Sequence, residues 1–441
     1  MFLLPLRQGL QRRSAEASDD PQPARRRGPA VSVAAPSGLR AYAAVTAAYW
    51  AFMLSDGALR MLVLLHFNGL GFSPVQLAWL FLLYELAGIV TNLSAGWLAA
   101  RFGLTSTLYA GLGLQIGALG ALAMLDPAWS IPASVAFVMA VQGVSGVAKD
   151  LAKMSSKSAV KILAPAGDGL FRWVALLTGS KNAVKGAGFF LGAALLALAG
   201  FQAAVWGMAA VLALILLAVV LWMPEGLPRG VKGTKIASVW SRDPAINRLS
   251  LARMFLFGAR DVWFVVGIPV YFQSVLSDGT AEGRREAFFL IGGFMALWII
   301  GYGAVQGMAP RLIRGDAAAQ ARRWAGWLTP IPFALAALSV AAGEPAMWLT
   351  LTLVAGLLLF GFVFAVNSSL HSYLILAFSK AERVTMDVGF YYMANAAGRL
   401  VGTLLSGLSY QWGGLPLCLA TAGAMAAASW LAARRIGSRD V

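Results

Sequence analysis

From Tyr42 onward, long apolar runs alternate with short polar breaks. The runs cover roughly 42–67, 75–99, 104–125, 131–150, 181–200 and 203–223, then 250–275, 287–310, 324–342, 346–374, 385–409 and 413–433. Each is about twenty residues or longer, and a helix of that length crosses a bilayer core of ~30 Å. In lipid a segment must pair its own backbone N–H and C=O groups, so each run is a helix. The pattern predicts an all-α integral membrane protein with twelve transmembrane helices. Its longest internal break, "PEGLPRGVKGTKIASVWSRDP", is basic and carries Pro and Gly, which predicts a linker. The chain then divides into a tail at 1–40, a six-helix bundle at 41–223, a linker at 224–248, a second six-helix bundle at 249–434 and a short tail at 435–441.

Composition agrees with that pattern. Charged residues are 12% of 441 positions and hydrophobic ones 59%, whereas a soluble chain carries roughly 25% charged residues. One cysteine, Cys418, excludes a disulfide framework and a thiolate metal cage. With two histidines, His66 and His371, a histidine metal centre is not expected either. The net charge of +16 suits basic loops gathered on one side of a membrane better than nucleic acid. The connections that would lie outside hold only Arg284 and Arg285. The others hold "RFG", a lysine-rich stretch, the central linker, "PRLIRGDAAAQARR", "SKAER" and "ARRIGSR". That partition predicts a multi-pass cell (inner) membrane protein with both termini cytoplasmic. The tail "RRSAEASDDPQPARRRGPA" predicts disorder. "MFLLPL" is too short for a signal peptide core.

The two halves echo each other. "FMLSDGALRMLVLLHF" and "FLFGARDVWFVVGIPVYF" place Phe52 and Phe257 four residues before Asp56 and Asp261, with Phe67 and Phe272 following at equal distance. Two related six-helix halves resemble the major facilitator fold. The loop "GWLAARFG" is similar to that fold's inward gating loop, with glycines at Gly96 and Gly103 and a base at Arg101. Ala100 stands where an acid is usual, which leaves the gating ion pair without its carboxylate.

Charges at mid-membrane depth cost ~2.5–3.5 kcal/mol each on insertion scales, so the exceptions carry information. Asp56 and Arg60 fall near the middle of the first run, Glu85 in the second, Arg260 and Asp261 in the seventh, and Asn395 and Arg399 in the eleventh. Ion pairing, such as Asp56 with Arg60 at i,i+4, is one explanation. Contact with an anionic substrate is the other, because a guanidinium offers two parallel N–H bonds to a phosphate or arsenate. Asp56, Glu85 and Asp261 then either balance the arginines or couple transport to protons.

The stretch "GVAKDLAKMSSKSAVK" spaces Lys149, Lys153, Lys157 and Lys161 four residues apart, and "TGSKNAVKGAGFFLG" repeats the spacing with Lys181 and Lys185. On a helix such a stripe drifts only ~120° over ~18 Å. It is either a flank for anionic lipid or a cationic funnel that concentrates anions at the entrance; Lys149 and Lys185 project furthest toward the midplane. Ser155 and Ser156 read as loop residues, not nucleophiles. No phosphate-loop motif appears, so ATP hydrolysis by this chain, enzymatic activity and a cofactor are not expected.

"SDGALRMLVLLHF", "AKDLAKMSSKSAVK", "LTGSKNAVKGAGFFLG" and "FGARDVWFVVGIPV" resemble the ArsJ-type organoarsenical efflux permeases, a branch of the major facilitator superfamily, and the likeness runs from about Tyr42 to Arg434. The resemblance implies export of 1-arseno-3-phosphoglycerate, made by glyceraldehyde-3-phosphate dehydrogenase acting on arsenate, and hence arsenate resistance. It carries no site residues; those above come from charge and depth. Another small organic anion, such as a sugar phosphate or a carboxylate, stays open as the substrate.

Overall fold

The computed structural model describes residues 36–163, 168–223, 241, 243–313, 315–379 and 384–436, and all regular structure among them is helical. Helix α1 spans Pro36–Gly69, and α2 runs as Pro74–Leu80 and then Leu82–Phe102. Helices α3 (Leu104–Ala123), α4 (Ile131–Leu163), α5 (Asp168–Ala199) and α6 (Phe201–Trp222) complete the first half. Helix α7 passes from Pro244–Val262 through a π turn, Trp263–Gly267, into Ile268–Leu276. Then come α8 (Ala281–Leu312), α9 (Ala317–Leu328, continuing as Pro330–Ala342) and α10 (Met347–Phe378). The stretch Val384–Arg434 is two helices, α11 and α12, parted where Gly413 and Gly414 leave helical geometry. Among the described residues eleven stretches are long and apolar enough to cross a membrane, and the last of them, 48 residues long, contains that break. The outcome is the twelve crossings that the apolar runs predict.

Local chemistry fixes the breaks. Ser73 caps α2 ahead of Pro74 in a reciprocal capping box with Gln76, and Asp243 caps α7 ahead of Pro244; each satisfies backbone donors that a helix start leaves open. Gly103, between α2 and α3, has φ 81°, a conformation glycine adopts without Cβ strain. One expectation fails here. Helix α4 continues to Leu163 and does not stop near Asp150, because no Pro or Gly lies between Asp150 and Leu163 to end it. Ser155 and Ser156 are therefore buried helix residues, not loop residues. The Ser155 hydroxyl lies 2.6 Å from that of Thr107 and donates to the Leu104 carbonyl at 2.7 Å, tying α4 to α3.

Small residues let the helices approach closely. A Cβ on Gly188 or Gly192 of α5 would run into the Leu54 or Ala58 carbonyl of α1, and one on Gly398 of α11 into the Met254 carbonyl of α7. Between halves, Gly186 of α5 faces the Ala296 carbonyl of α8, and Gly407 of α11 faces the Pro74 carbonyl of α2. The π turn in α7 is braced by α11, whose Ser406 hydroxyl accepts from the backbone N–H of Val266 (3.1 Å) and Gly267 (3.2 Å).

Twelve crossings put the two described chain ends on one side of the molecule. At the opposite end the halves meet: Asn68 Nδ2 donates to Gln273 Oε1 at 2.7 Å, and the Val75 N–H to Gln411 Oε1 at 3.2 Å. Asn68 and Gln273 each follow a matched phenylalanine of the repeat, Phe67 or Phe272, so equivalent positions touch across the pseudo-symmetry axis. Phe52, Phe67, Phe257 and Phe272 are all buried. Most of the 1–40 tail, most of the linker and residues beyond Ile436 lie outside the described residues.

Candidate functional site

A cavity of about 230 Å³ lies between the halves, walled by residues of α1, α2, α4, α5, α7, α8, α10 and α11. Its lining runs from mid-helix toward the end that carries both described chain ends, and the Asn68–Gln273 contact joins the halves at the other end. Among the described residues, eight basic side chains and three carboxylates line it.

At its centre the charges alternate across both halves. Arg60 Nη2 of α1 meets Glu85 Oε1 of α2 at 3.0 Å. The same oxygen accepts from Arg399 Nη2 of α11 at 2.6 Å. Arg399 Nε reaches Asp261 Oδ2 of α7 at 3.2 Å, and Asp261 Oδ1 accepts from Arg260 Nε at 2.6 Å. Three guanidiniums thus share two carboxylates, each 1% exposed. Phe81 and Tyr84 face the Arg60 guanidinium at 5.0 and 5.3 Å, and Phe257 that of Arg260 at 4.8 Å. Such faces suit cations.

The i,i+4 pair between Asp56 and Arg60 does not form. Asp56 accepts instead from Lys185 Nζ of α5 at 2.6 Å and from the Tyr84 hydroxyl at 2.5 Å. The physical reason is the close α1–α5 packing, in which Gly57 sits against the Lys185 carbonyl and brings the lysine onto the aspartate.

The lysine stripe enters the same wall. Lys149 Nζ stands 4.1 Å above the Tyr84 ring and 4.0 Å from Asp150 Oδ2. Lys153 Nζ donates to Asp150 Oδ1 at 3.0 Å and to Asn92 Oδ1 at 2.7 Å, and lies 5.6 Å from the Tyr392 ring of the other half. Asp150, which also accepts from the Thr91 hydroxyl, reads in sequence only as the end of the fourth run, with no role, although it is the one acid inside the lysine run. Lys181 lines the cavity beside Asn182, which donates to Gln306 of α8 at 3.0 Å.

The structure gathers Arg60, Arg260, Arg399, Asn395, Lys149, Lys153, Lys181, Lys185, Glu85 and Asp261 around one cavity, with Asp56 one bond behind Lys185. Arg101 is exposed at the end of α2 and Gly103 follows it; neither lines the cavity. The side chains of Lys157 and Lys161, and the surroundings of Gly96, lie outside the described residues.

Sequence reasoning missed Arg253. It lines the cavity from α7 and is 5% exposed. Three residues inside the start of its apolar run, it reads as a flanking charge. Its signal was the spacing to Arg260: seven residues are two turns, which places both on one helix face.

A pocket between two helical bundles, with cations in excess of carboxylates, can bind and pass a small anion. The described residues contain no cluster of His, Cys, Asp or Glu that could hold a metal ion.

Comparison with known proteins bears on the fold and the class. Residues 45–375 match the sequence profile of the Major Facilitator Superfamily. No curated protein matches the chain in sequence. Among solved structures, a variant of the nucleoside transporter NupG superposes with a TM-score of 0.69 at 14% identity, covering 91% of this chain and 100% of that one. A structure described as giving insight into substrate recognition in proton-dependent oligopeptide transporters superposes with a TM-score of 0.64 at 13% identity, covering 90% and 97%. At such identities the likeness is one of fold. With the profile match, the twelve helices and the cavity at the junction of two six-helix halves, this chain belongs to the major facilitator superfamily and is a secondary transporter.

Proposed function

We propose that this transporter exports a small organic anion bearing two acidic groups, and that its substrate is 1-arseno-3-phosphoglycerate, so that it confers arsenate resistance. The observation that carries the anionic class is the cavity lining, in which eight basic side chains face three carboxylates. The arsenical identity rests on the resemblance of the four sequence blocks to the ArsJ-type permeases. Pentavalent arsenic presents only oxygens, which suits arginine and lysine; trivalent arsenic calls for soft thiolates, and the sequence has one cysteine.

The two termini belong in the cytoplasm of a cell (inner) membrane protein on the charge of the loops. In that orientation the cavity faces the compartment where glyceraldehyde-3-phosphate dehydrogenase makes the substrate. An anion entering past Lys153 and Lys149 meets Arg399 and competes with Glu85 and Asp261 for it. Because Arg399 ties carboxylates of both halves, that competition loosens the halves at the level where they must rock. With the cytoplasm negative, each exported negative charge gains ~2.3 kcal/mol per 100 mV, so export is favourable without a coupled ion.

Cells that produce the dehydrogenase and this transporter are expected to tolerate arsenate and to lose that tolerance when the transporter gene is deleted. Unchanged tolerance would reject the arsenical and leave another organic anion, such as a sugar phosphate or carboxylate, as the substrate.

A further inference from the structure

We infer that Arg253 is the centre of a second oxyanion subsite, displaced from the Arg60–Glu85–Arg399–Asp261–Arg260 array toward the end of the cavity that carries both termini. The inference deepens the anion-transport proposal and rests on it. The cavity then takes an anion with an acid group at each end, one on Arg253 and the other at the central array.

Charge balance sets Arg253 apart. Arg60, Arg260, Arg399, Lys149, Lys153 and Lys185 each have a carboxylate within 4.0 Å. Among the described residues Arg253 has none. Its partners are neutral: Nε donates to Asn395 Oδ1 at 3.0 Å, and Nη1 to the backbone carbonyl and hydroxyl of Ser368, both at 2.9 Å. The Phe257 ring lies 4.0 Å from the guanidinium carbon and the Tyr391 ring 5.1 Å. These contacts fix the orientation of the fork without neutralising it.

Donor capacity agrees. A guanidinium has five N–H donors; the bonds above use those of Nε and Nη1. Nη2 donates to no described residue, and Arg253 lines the cavity beside Ser372, Gln306 and Asn395. A desolvated cation with free donors on a cavity wall is a costly arrangement unless an anion completes it. Arg253 and Arg260 are seven residues apart on α7, about 10 Å along the axis. A single tetrahedral oxyanion cannot touch both. A short carbon chain with an acid group at each end can.

The test compares two stable probes on purified full-length protein: glycerol 3-phosphate, with one phosphate, and 2,3-bisphosphoglycerate, which adds a second phosphate and a carboxylate. Binding is read by calorimetry and by the probe-dependent rise in Tm. Wild type is expected to bind the multiply charged probe much more tightly. Arg253→Gln is expected to fold, to weaken that probe by about thirtyfold or more, and to bind the two probes nearly alike. An Arg253→Gln variant that keeps the wild-type preference overturns the subsite. So does one that fails to fold, because Arg253 would then be a strut between α7, α10 and α11. If wild type binds neither probe, the anion-transport proposal falls and the subsite with it, a result distinct from loss of the variant's preference alone.

Discussion

Glu85 Oε1 serves two guanidiniums at once, Arg60 in its own half and Arg399 in the other. Removing one member of a buried ion pair strands the rest and typically costs ~3–5 kcal/mol. Glu85→Gln is therefore expected to lower the Tm of the purified protein and to impair transport; an unchanged Tm would mean that the array carries no stabilising charge pairing. Arg399→Ala should abolish transport while the protein still inserts in the membrane. Arg399→Lys should fail to restore transport, since one ammonium cannot reproduce the Nε and Nη2 bonds to two carboxylates; flux measurements on both variants check this. The depth of Asp56, Arg60, Glu85, Arg260, Asp261 and Arg399 was legible from their places within apolar runs. The pairing across helices was not, because only same-helix neighbours, such as Arg260 and Asp261, can be read from spacing. Arg60 crosses to α2 and Asp56 to α5, choices made by helix packing.

At the scale of elements, the lysine run is the C-terminal part of one continuous helix, and its polar anchors, Asp150, Asn92 and Thr91, come from α4 and α2. Lys149→Gln is expected to weaken substrate uptake from the terminal side and to flatten its salt dependence, because steering by fixed charge is screened by ions. An unaltered salt response would leave Lys149 as packing against Tyr84. Helix α5 must touch α1 backbone to backbone at Gly188 and Gly192. Gly192→Leu should thus greatly reduce the yield of monodisperse protein on size-exclusion chromatography, overpacking of even well-ordered interiors costing ~1–3 kcal/mol; a normal yield would contradict the close contact. Apolar length made the helices themselves legible, and Gly413–Gly414 made the last break legible. The π turn in α7 was not, for it depends on Ser406 of a helix about 140 residues away accepting the displaced N–H groups.

On the scale of the whole molecule, the repeat around Asp56 and Asp261 marked the two halves, and Asn68 and Gln273 at its end join them. What the chain's own residues could not name is the arsenical, which rests on family resemblance. The cationic cavity is proposed to move a doubly acidic organic anion out of the cytoplasm. Inside-out vesicles containing the transporter, supplied with dehydrogenase-generated 1-arseno-3-phosphoglycerate, test it most directly. Arsenic uptake is expected to rise with an inside-positive potential, to persist without a pH gradient and to be lost in Arg399→Ala. Uptake no greater than in vesicles lacking the protein, at any imposed potential, would contradict it.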